Sequence, residues 1–259
     1  MRRANAWIFD LDDTLTPNVH DYADSILDSC RLIIKILGAK APHVFAIVEL
    51  EREIDCQLVD EVNPVTGKVF GYTMERFPGS LVEVYRTICK RAEAMPTDSV
   101  EQELYKIGLQ AFDPNRYAGN VFPDTTSTLD FLRLRGDEIL LLTKGDQKIQ
   151  ELKLSALDAE NRFYRVKIVE SRKTPEVFRK MAESLEGYQL FSVGNDYEKD
   201  IVPALEAGYR GVWIPLETWE VIGRLDEIRV KVDQSRCVEL RSLRELVERY
   251  DEIVGTKTR

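Results

Sequence analysis

Residues 7–18 read WIFDLDDTLTPN, an apolar run followed by three carboxylates and two threonines between positions 10 and 16. A buried strand usually ends in a turn residue such as Gly, Asn or Pro. Crowding Asp10, Asp12 and Asp13 there instead sets like charges against one another, so the cluster demands a chemical reason. Asp10 and Asp12 are two residues apart, which in extended backbone sends both side chains toward the same side.

Working outward, Ala6–Phe9 is joined by Ile139–Leu142, Val166–Val169, Leu190–Val193 and Gly211–Ile214 as strand candidates. Each is short, apolar and bounded by polar or glycine residues, as strands buried on both faces are. Helices fit between them. Asp124 is expected to cap one that carries Leu129 and Leu132 and stops at Gly136. Asp146 is expected to cap a second, with Ile149, Leu152, Ala156 and Leu157 on one face. Thr174 and Pro175 open a third, and Pro203 begins or bends a fourth that runs to Gly208. This alternation predicts an α/β protein with a Rossmann-like parallel sheet covered by helices. Residues 18–116 break the rhythm: YADSILDSCRLIIKIL (22–37) and SLVEVYRTICKRAEAM (80–95) carry apolar residues at helical spacing only. The expected organisation is a core of residues 1–17 and 117–259 with an all-helical domain, 18–116, inserted after the first strand. Near the C-terminus, VELRSLRELVERY (238–250) predicts a short strand and a closing helix.

The composition, 44% hydrophobic and 31% charged with net charge -9, is that of a soluble globular protein and argues against a nucleic-acid backbone as the main partner. Cys30, Cys56, Cys89 and Cys237 have no metal-binding spacing, so reduced thiols in a cytoplasmic protein are expected. No apolar run approaches the roughly 18 residues that a bilayer span needs. The basic MRR opening meets Asp10 too soon to read as a signal peptide.

In an open parallel sheet, ligands bind outside the carboxyl ends of the strands. Here those ends carry Asp10 to Thr14, then Thr143-Lys144-Gly145-Asp146, then ESRKTPE (170–176) with Lys173, then Gly194-Asn195-Asp196 running on to Asp200. Acids gathered at one edge would repel one another and any anionic substrate. A bound Mg2+ removes that objection, because it prefers oxygen donors and leaves positions open for phosphate. One carboxylate could then attack phosphorus, and the other could protonate the leaving oxygen and later deprotonate water. Thr143 and a lysine would hold the phosphoryl oxygens. Lys173 is preferred to Lys167 and Lys144, since it lies past the third strand and just before a helix start.

With these residues in order, the chain resembles the haloacid dehalogenase (HAD) superfamily of phosphohydrolases. DLDDT matches the first family motif, Thr143 after ILLL the second, Lys173 in RKTPEVF the third and VGNDYEKD the fourth. The resemblance implies Asp10 as nucleophile and Asp12 as general acid and base, with Thr143 and Lys173 at the phosphate and Lys173 also paired with Asp10; Lys144 is a further expected substrate contact. It also implies Mg2+ held by Asp10, the Asp12 carbonyl and a fourth-motif acid. That motif departs from the family pattern, since Asn195 stands where an Asp is common. Asp196 and Asp200 are the expected acids, with Asn195 as a neutral oxygen donor the alternative. The insertion sits where the family places a helical type 1 cap, in which Lys68, Tyr72, Arg76 and Phe77 could meet substrate; Arg76 is the expected contact.

The expected activity is hydrolysis of a small phosphorylated metabolite by a monomer or homodimer, with neither nucleic acid nor membrane as partner. A phosphomutase would share every core residue. A haloacid dehalogenase proper would need the nucleophile but no acid two residues on. A phosphorylated signalling receiver would need its Asp on a middle strand and no large insertion, and a non-catalytic binding protein should have lost one of the acids. Asp13 and Thr14 are read as bracing the turn, and His20 and His43 as structural or surface residues.

Overall fold

The computed structural model describes residues 4–64, 66–117, 119–218 and 221–255; the MRR opening lies outside them. They divide into two compact units, residues 1–18 with 117–259 and residues 19–116.

In the first unit the described residues form a six-stranded sheet in the order β3-β2-β1-β4-β5-β6. The strands are β1 (Asn5–Phe9), β2 (Glu138–Lys144), β3 (Arg165–Val169), β4 (Gln189–Gly194), β5 (Arg210–Trp213) and β6 (Cys237–Glu239). Every neighbouring pair is parallel. Because side chains alternate along a strand, β1 sends Trp7 and Phe9 into one apolar layer and Ala6 and Ile8 into the other. Trp7 stacks on Phe191 of β4 with ring centroids 4.1 Å apart. Full burial of side chains of this size contributes roughly 1.5–3 kcal/mol each, so the central strand is strongly anchored.

The first layer is closed by α6 (Thr125–Leu134), through Leu129 and Leu132, and by α12 (Leu243–Glu248), through Leu243 and Leu246. The second is closed by α9 (Pro175–Met181) and α10 (Val202–Glu206), through Phe178, Met181 and Ala204. The short helices α8 (Ala159–Arg162), α11 (Leu225–Arg229) and α13 (Tyr250–Ile253) fill the remaining connections. One buried carboxylate ties the N-terminal strand to the C-terminal helix. Asp137 accepts from Asn5 Nδ2 at 3.1 Å, Trp7 Nε1 at 2.8 Å and the Tyr250 hydroxyl at 2.5 Å.

Caps follow the sequence at two helices and not at a third. Asp146 caps α7 (Gln147–Ala156) by accepting from the Lys148 and Ile149 amides, and Thr174 caps α9 by accepting from Val177. Asp124 precedes α6 but makes no side-chain cap bond. That start is fastened instead by the Thr125 hydroxyl, which donates to Leu15 O at 2.8 Å. The buried face of α7 also differs from expectation. Ile149, Gln150, Lys153 and Leu157 are buried, while Ala156 is exposed. The helix is rotated so that two polar side chains point inward.

The second unit contains α1 (Ala23–Leu37), α2 (Val44–Leu58), α3 (Arg76–Arg91) and α4 (Asp98–Leu109), with α5 (Pro114–Tyr117) at the return to the sheet unit. Its core is made by Ile33, Ile47, Leu81, Val84, Tyr85, Ile88 and Leu104. His43 caps α2, its ring nitrogen accepting from the Phe45 amide, whereas His20 is exposed. The four cysteines are free thiols. No helix among the described residues is long and apolar enough to cross a membrane.

A buried charged cluster joins α2 to α3. Arg76 pairs with Asp55 and also donates to the Asp55 carbonyl at 3.1 Å, while the Ser80 hydroxyl donates to Glu51 at 3.0 Å. Arg76, the expected substrate contact, is only 6% exposed and joins two helices of its own unit. Burial pushes the Glu51 carboxyl up to about 7, with the Asp55 charge adding to the rise and Ser80 and Arg76 opposing it. The folded state therefore binds this proton more tightly than the unfolded chain does. Stability falls as pH rises from the ordinary glutamate range to about 7 and is flat beyond. Glu51→Gln keeps the acceptor for Ser80 and removes the charge. It is expected to raise the unfolding free energy at pH 8 by on the order of 2–3 kcal/mol and to change little at pH 4. Urea titrations at the two pH values check this.

Candidate active site

The strand order reverses direction between β1 and β4, and a crevice at such a switch point is where open α/β sheets bind ligands. Asp10 follows β1 and Asn195 follows β4, so both lie at that crevice. The Asp10 amide continues the sheet by donating to Val193 O at 2.9 Å, which fixes its backbone. The chain then turns sharply. The Leu11 carbonyl accepts from the Thr14, Leu15 and Thr16 amides, and Asp13 adopts a left-handed backbone with φ 61°. Asp is one of the few side chains that enter this region readily, which accounts for the third acid of the cluster as part of the turn.

Lys173, between β3 and α9, donates to both Asp10 and Asp200, the latter at 2.7 Å. Thr14 Oγ1 lies 3.2 Å from Asp10 Oδ2 and 3.4 Å from Asn195 Oδ1, and accepts from the Asn195 amide at 3.0 Å. Asp10, Thr14, Lys173, Asn195 and Asp200 thus form one buried cluster. A single π turn, Tyr197–Ile201, brings Asp200 into it. Such turns inside helices often occur at functional sites. Gly194 makes room, since a Cβ there would collide with the Asp200 side chain.

Asp196 does not join this cluster. Its carboxylate caps the π turn by accepting from the Glu198 and Lys199 amides at 3.0 Å and pairs with Lys199 at 3.1 Å. Its amide nonetheless donates to Asp200 Oδ2 at 3.1 Å, while Asn195 shares Thr14 with Asp10.

Burial pushes the Asp10 carboxyl up to about 8; Lys173 opposes the rise, and the charges of Asp200 and Asp12 add to it. Asp200 is also raised, by burial first, with Lys173 opposing and Asp196 adding. Burial alone would lower Lys173, but the charges of Asp10 and Asp200 overcome it and hold the ammonium above its ordinary range. One cation therefore faces more negative charge than it can balance. Among the described residues no three His, Cys, Asp or Glu side chains form a metal-holding group by themselves. The oxygen donors that do converge, Asp10, Asp200 and Asn195, suit a hard cation that completes its shell with a main-chain carbonyl and water, as Mg2+ does.

Thr143, the last residue but one of β2, is fully buried, and its hydroxyl donates to Gln150 Oε1 at 3.2 Å; Lys144, which ends the strand, is half-buried. Asp12 is held by α7. Gln150 Nε2 donates to its Oδ2 at 2.8 Å and Lys153 Nζ to its Oδ1 at 2.7 Å. Neither Gln150 nor Lys153 was visible as a site residue in the sequence. The available signal was a pair of polar residues at positions i and i+3, next to the apolar stripe of an otherwise ordinary amphipathic helix.

An enzyme of hydrolytic type fits this fold and this edge of acids. The chain belongs to the haloacid dehalogenase-like hydrolases, whose family description matches residues 4–208. No protein of curated function matches the sequence. Among solved structures, a haloacid dehalogenase-like family hydrolase from Xanthomonas campestris is 19% identical with a TM-score of 0.67, covering 98% of each chain. A HAD phosphatase from Thermococcus onnurineus is 19% identical with a TM-score of 0.55, over 97% of this chain and 98% of its own. A 2-haloacid dehalogenase from Pseudomonas syringae pv. Tomato is likewise 19% identical, with a TM-score of 0.54 over 98% and 100%. At such identities the likeness is one of fold.

Proposed function

We propose that the protein hydrolyses small phosphate monoesters through an aspartyl-phosphate on Asp10. The observation that carries this reading is the second carboxylate. Asp12 stands two residues past the nucleophile with its own hydrogen-bonded support, and a dehalogenase would leave it without a task.

In the first half-reaction an Asp10 oxygen attacks phosphorus and the ester P–O bond breaks. The electron pair goes to the alcohol oxygen, which takes its proton from the Asp12 carboxyl group. In the second, water attacks the phosphorus of the aspartyl-phosphate and gives its proton to the Asp12 carboxylate. Phosphate leaves, and Asp10 and Asp12 are restored. Lys173 holds Asp10 in line and offers positive charge to the transferring group. The Thr143 hydroxyl and the Lys144 side chain are assigned to the phosphoryl oxygens, the hydroxyl by turning from Gln150. Asp10, the Asp12 carbonyl, Asn195 and Asp200 would hold Mg2+, which supplies charge neutralisation for the anionic substrate when bound. The inserted helical unit is given the role of a cap that selects small esters.

The test is a panel of small phosphomonoesters, with release of inorganic phosphate measured in Mg2+ and in EDTA beside chloride release from 2-chloropropionate. Phosphate release is expected only with Mg2+, abolished by EDTA and restored by Mg2+ in excess. Chloride release without phosphate release would overturn the proposal in favour of dehalogenation.

A further inference from the structure

The established family chemistry gives no task to the face that α7 turns inward. Gln150 and Lys153, 3% and 4% exposed, lie three residues apart on that face, and each donates to a different oxygen of Asp12. Both donors are themselves fixed. Gln150 Nε2 faces both the Asp12 carboxylate and, at 3.5 Å, the Lys144 carbonyl, so a flipped amide would set oxygen against oxygen even after the Thr143 hydroxyl has left Gln150 Oε1 for a phosphoryl oxygen. Gly145 leaves the space that this requires, since a Cβ there would stand 2.6 Å from Gln150 Nε2. Lys153 Nζ also donates to Asn18 Oδ1 at 2.5 Å and lies 5.5 Å from the centre of the Tyr117 ring. The Asp12 side chain itself remains 22% exposed.

A buried ion pair of this kind is seldom worth more to stability than an apolar pair of the same size. What it does is set the direction of a carboxylate. Asp12 must become a carboxylate at the moment it gives its proton to the leaving oxygen. An ammonium fixed on one oxygen stabilises that product, and Asn18 gives the ammonium a second acceptor while Asp12 carries the proton.

We propose that Gln150 and Lys153 are positioning residues for proton transfer by Asp12, with Lys153 driving protonation of the leaving group. The inference rests on the phosphatase reading above, and it is separable from it by leaving-group dependence. Help from an acid matters most when the departing oxygen is basic, whereas a general loss of structure lowers all rates alike.

The experiment uses a series of aryl phosphates, from p-nitrophenyl phosphate to phenyl phosphate and its electron-rich analogues, with Mg2+. Lys153→Met is expected to lower kcat about 100-fold for the poorest leaving group and no more than about 5-fold for p-nitrophenol, within the range that acid catalysis supplies. Gln150→Leu is expected to act in the same sense and more weakly, and Lys153→Arg to restore much of the loss. Thermal melts accompany each variant. If Lys153→Met does not fold, Gln150→Leu and Lys153→Arg are compared with the parent over the same series. A uniform loss across the series, or none, overturns the positioning role while leaving the phosphatase intact. A parent that releases no phosphate from any ester overturns both readings before a variant is made.

Discussion

Asp10→Asn is expected to hydrolyse phosphate monoesters at least ~10^4-fold more slowly than the parent, the scale of loss when a covalent nucleophile is removed from an assembled site. The amide keeps the shape and the hydrogen bond from Thr14 but cannot attack phosphorus. The parent, mixed with labelled ester and quenched in acid, should retain label on the protein, and the variant should not. Folding should not suffer. The Asp10 carboxyl is pushed up to about 8 by its burial, against Lys173 and with the charges of Asp200 and Asp12. The folded state therefore holds the proton that the unfolded chain has already lost. Over the window from about pH 4 to about pH 8, stability falls as pH rises. An uncharged Asn avoids that fall, and Lys173 keeps Asp200 as a partner at 2.7 Å. In EDTA the variant should thus melt no lower than the parent at pH 8. Parent-like turnover by Asp10→Asn would remove the aspartyl-phosphate from the mechanism.

Lys173→Met should do the opposite to stability while also removing activity. Its ammonium is buried between Asp10 and Asp200, and deleting one partner of a buried charge cluster costs about 3–5 kcal/mol because the others remain uncompensated. Lys173 opposes the rise in both acids, so its loss lets each climb further. The variant's folded state then takes up protons over a wider range, and its stability falls more steeply with rising pH. The penalty relative to the parent is therefore expected to be large at pH 8 and smaller at pH 5.5, where a proton on Asp10 relieves the repulsion. Urea midpoints at the two pH values measure the difference, and equal penalties at both would sink the electrostatic account. Activity at saturating Mg2+ should fall by about 10^3 or more, the scale of losing a preorganised electrostatic group.

The sheet was legible because its strands are short, apolar and evenly interrupted, and because such runs separated by helices admit few topologies. The third strand departs in character. Arg165 to Val169 is half-buried throughout, as an edge strand with one flank open to solvent would be. The acids at the strand ends were legible as types, but not their directions. Asp196 and Asn195 are adjacent, and nothing in their identities says that one caps a turn while the other faces Asp10. That choice is made by the π turn, a local backbone event without a sequence periodicity. The pairing of Arg76 was hidden for a related reason. A lone arginine beside a loop looks available until the fold brings Asp55, 21 residues earlier, against it. Gln150 and Lys153 escaped because helical periodicity was scored on apolar residues, and α7 buries two polar ones instead. Asn18 stands with the sheet unit, where Lys153 holds its side chain.

The place of β1 has a consequence for how the protein comes into being. The strand that leads into Asp10 is synthesised before the other five of the sheet, yet Ala6 pairs with Glu138 on one side and Leu190 on the other. Neither partner exists until well over a hundred further residues have been made. The helical unit, whose residues lie entirely within that interval, can complete its own local contacts while WIF still waits for a sheet. Closing loops of this length is slow compared with helix formation. During synthesis Asp10 is therefore carried at the end of an unpaired apolar strand, and Lys173, Asn195 and Asp200, which surround it in the folded protein, arrive with the segments that bury it. A ribosome stalled before residue 189 would hold a chain that has Asp10 and no β4 to pair with the strand behind it.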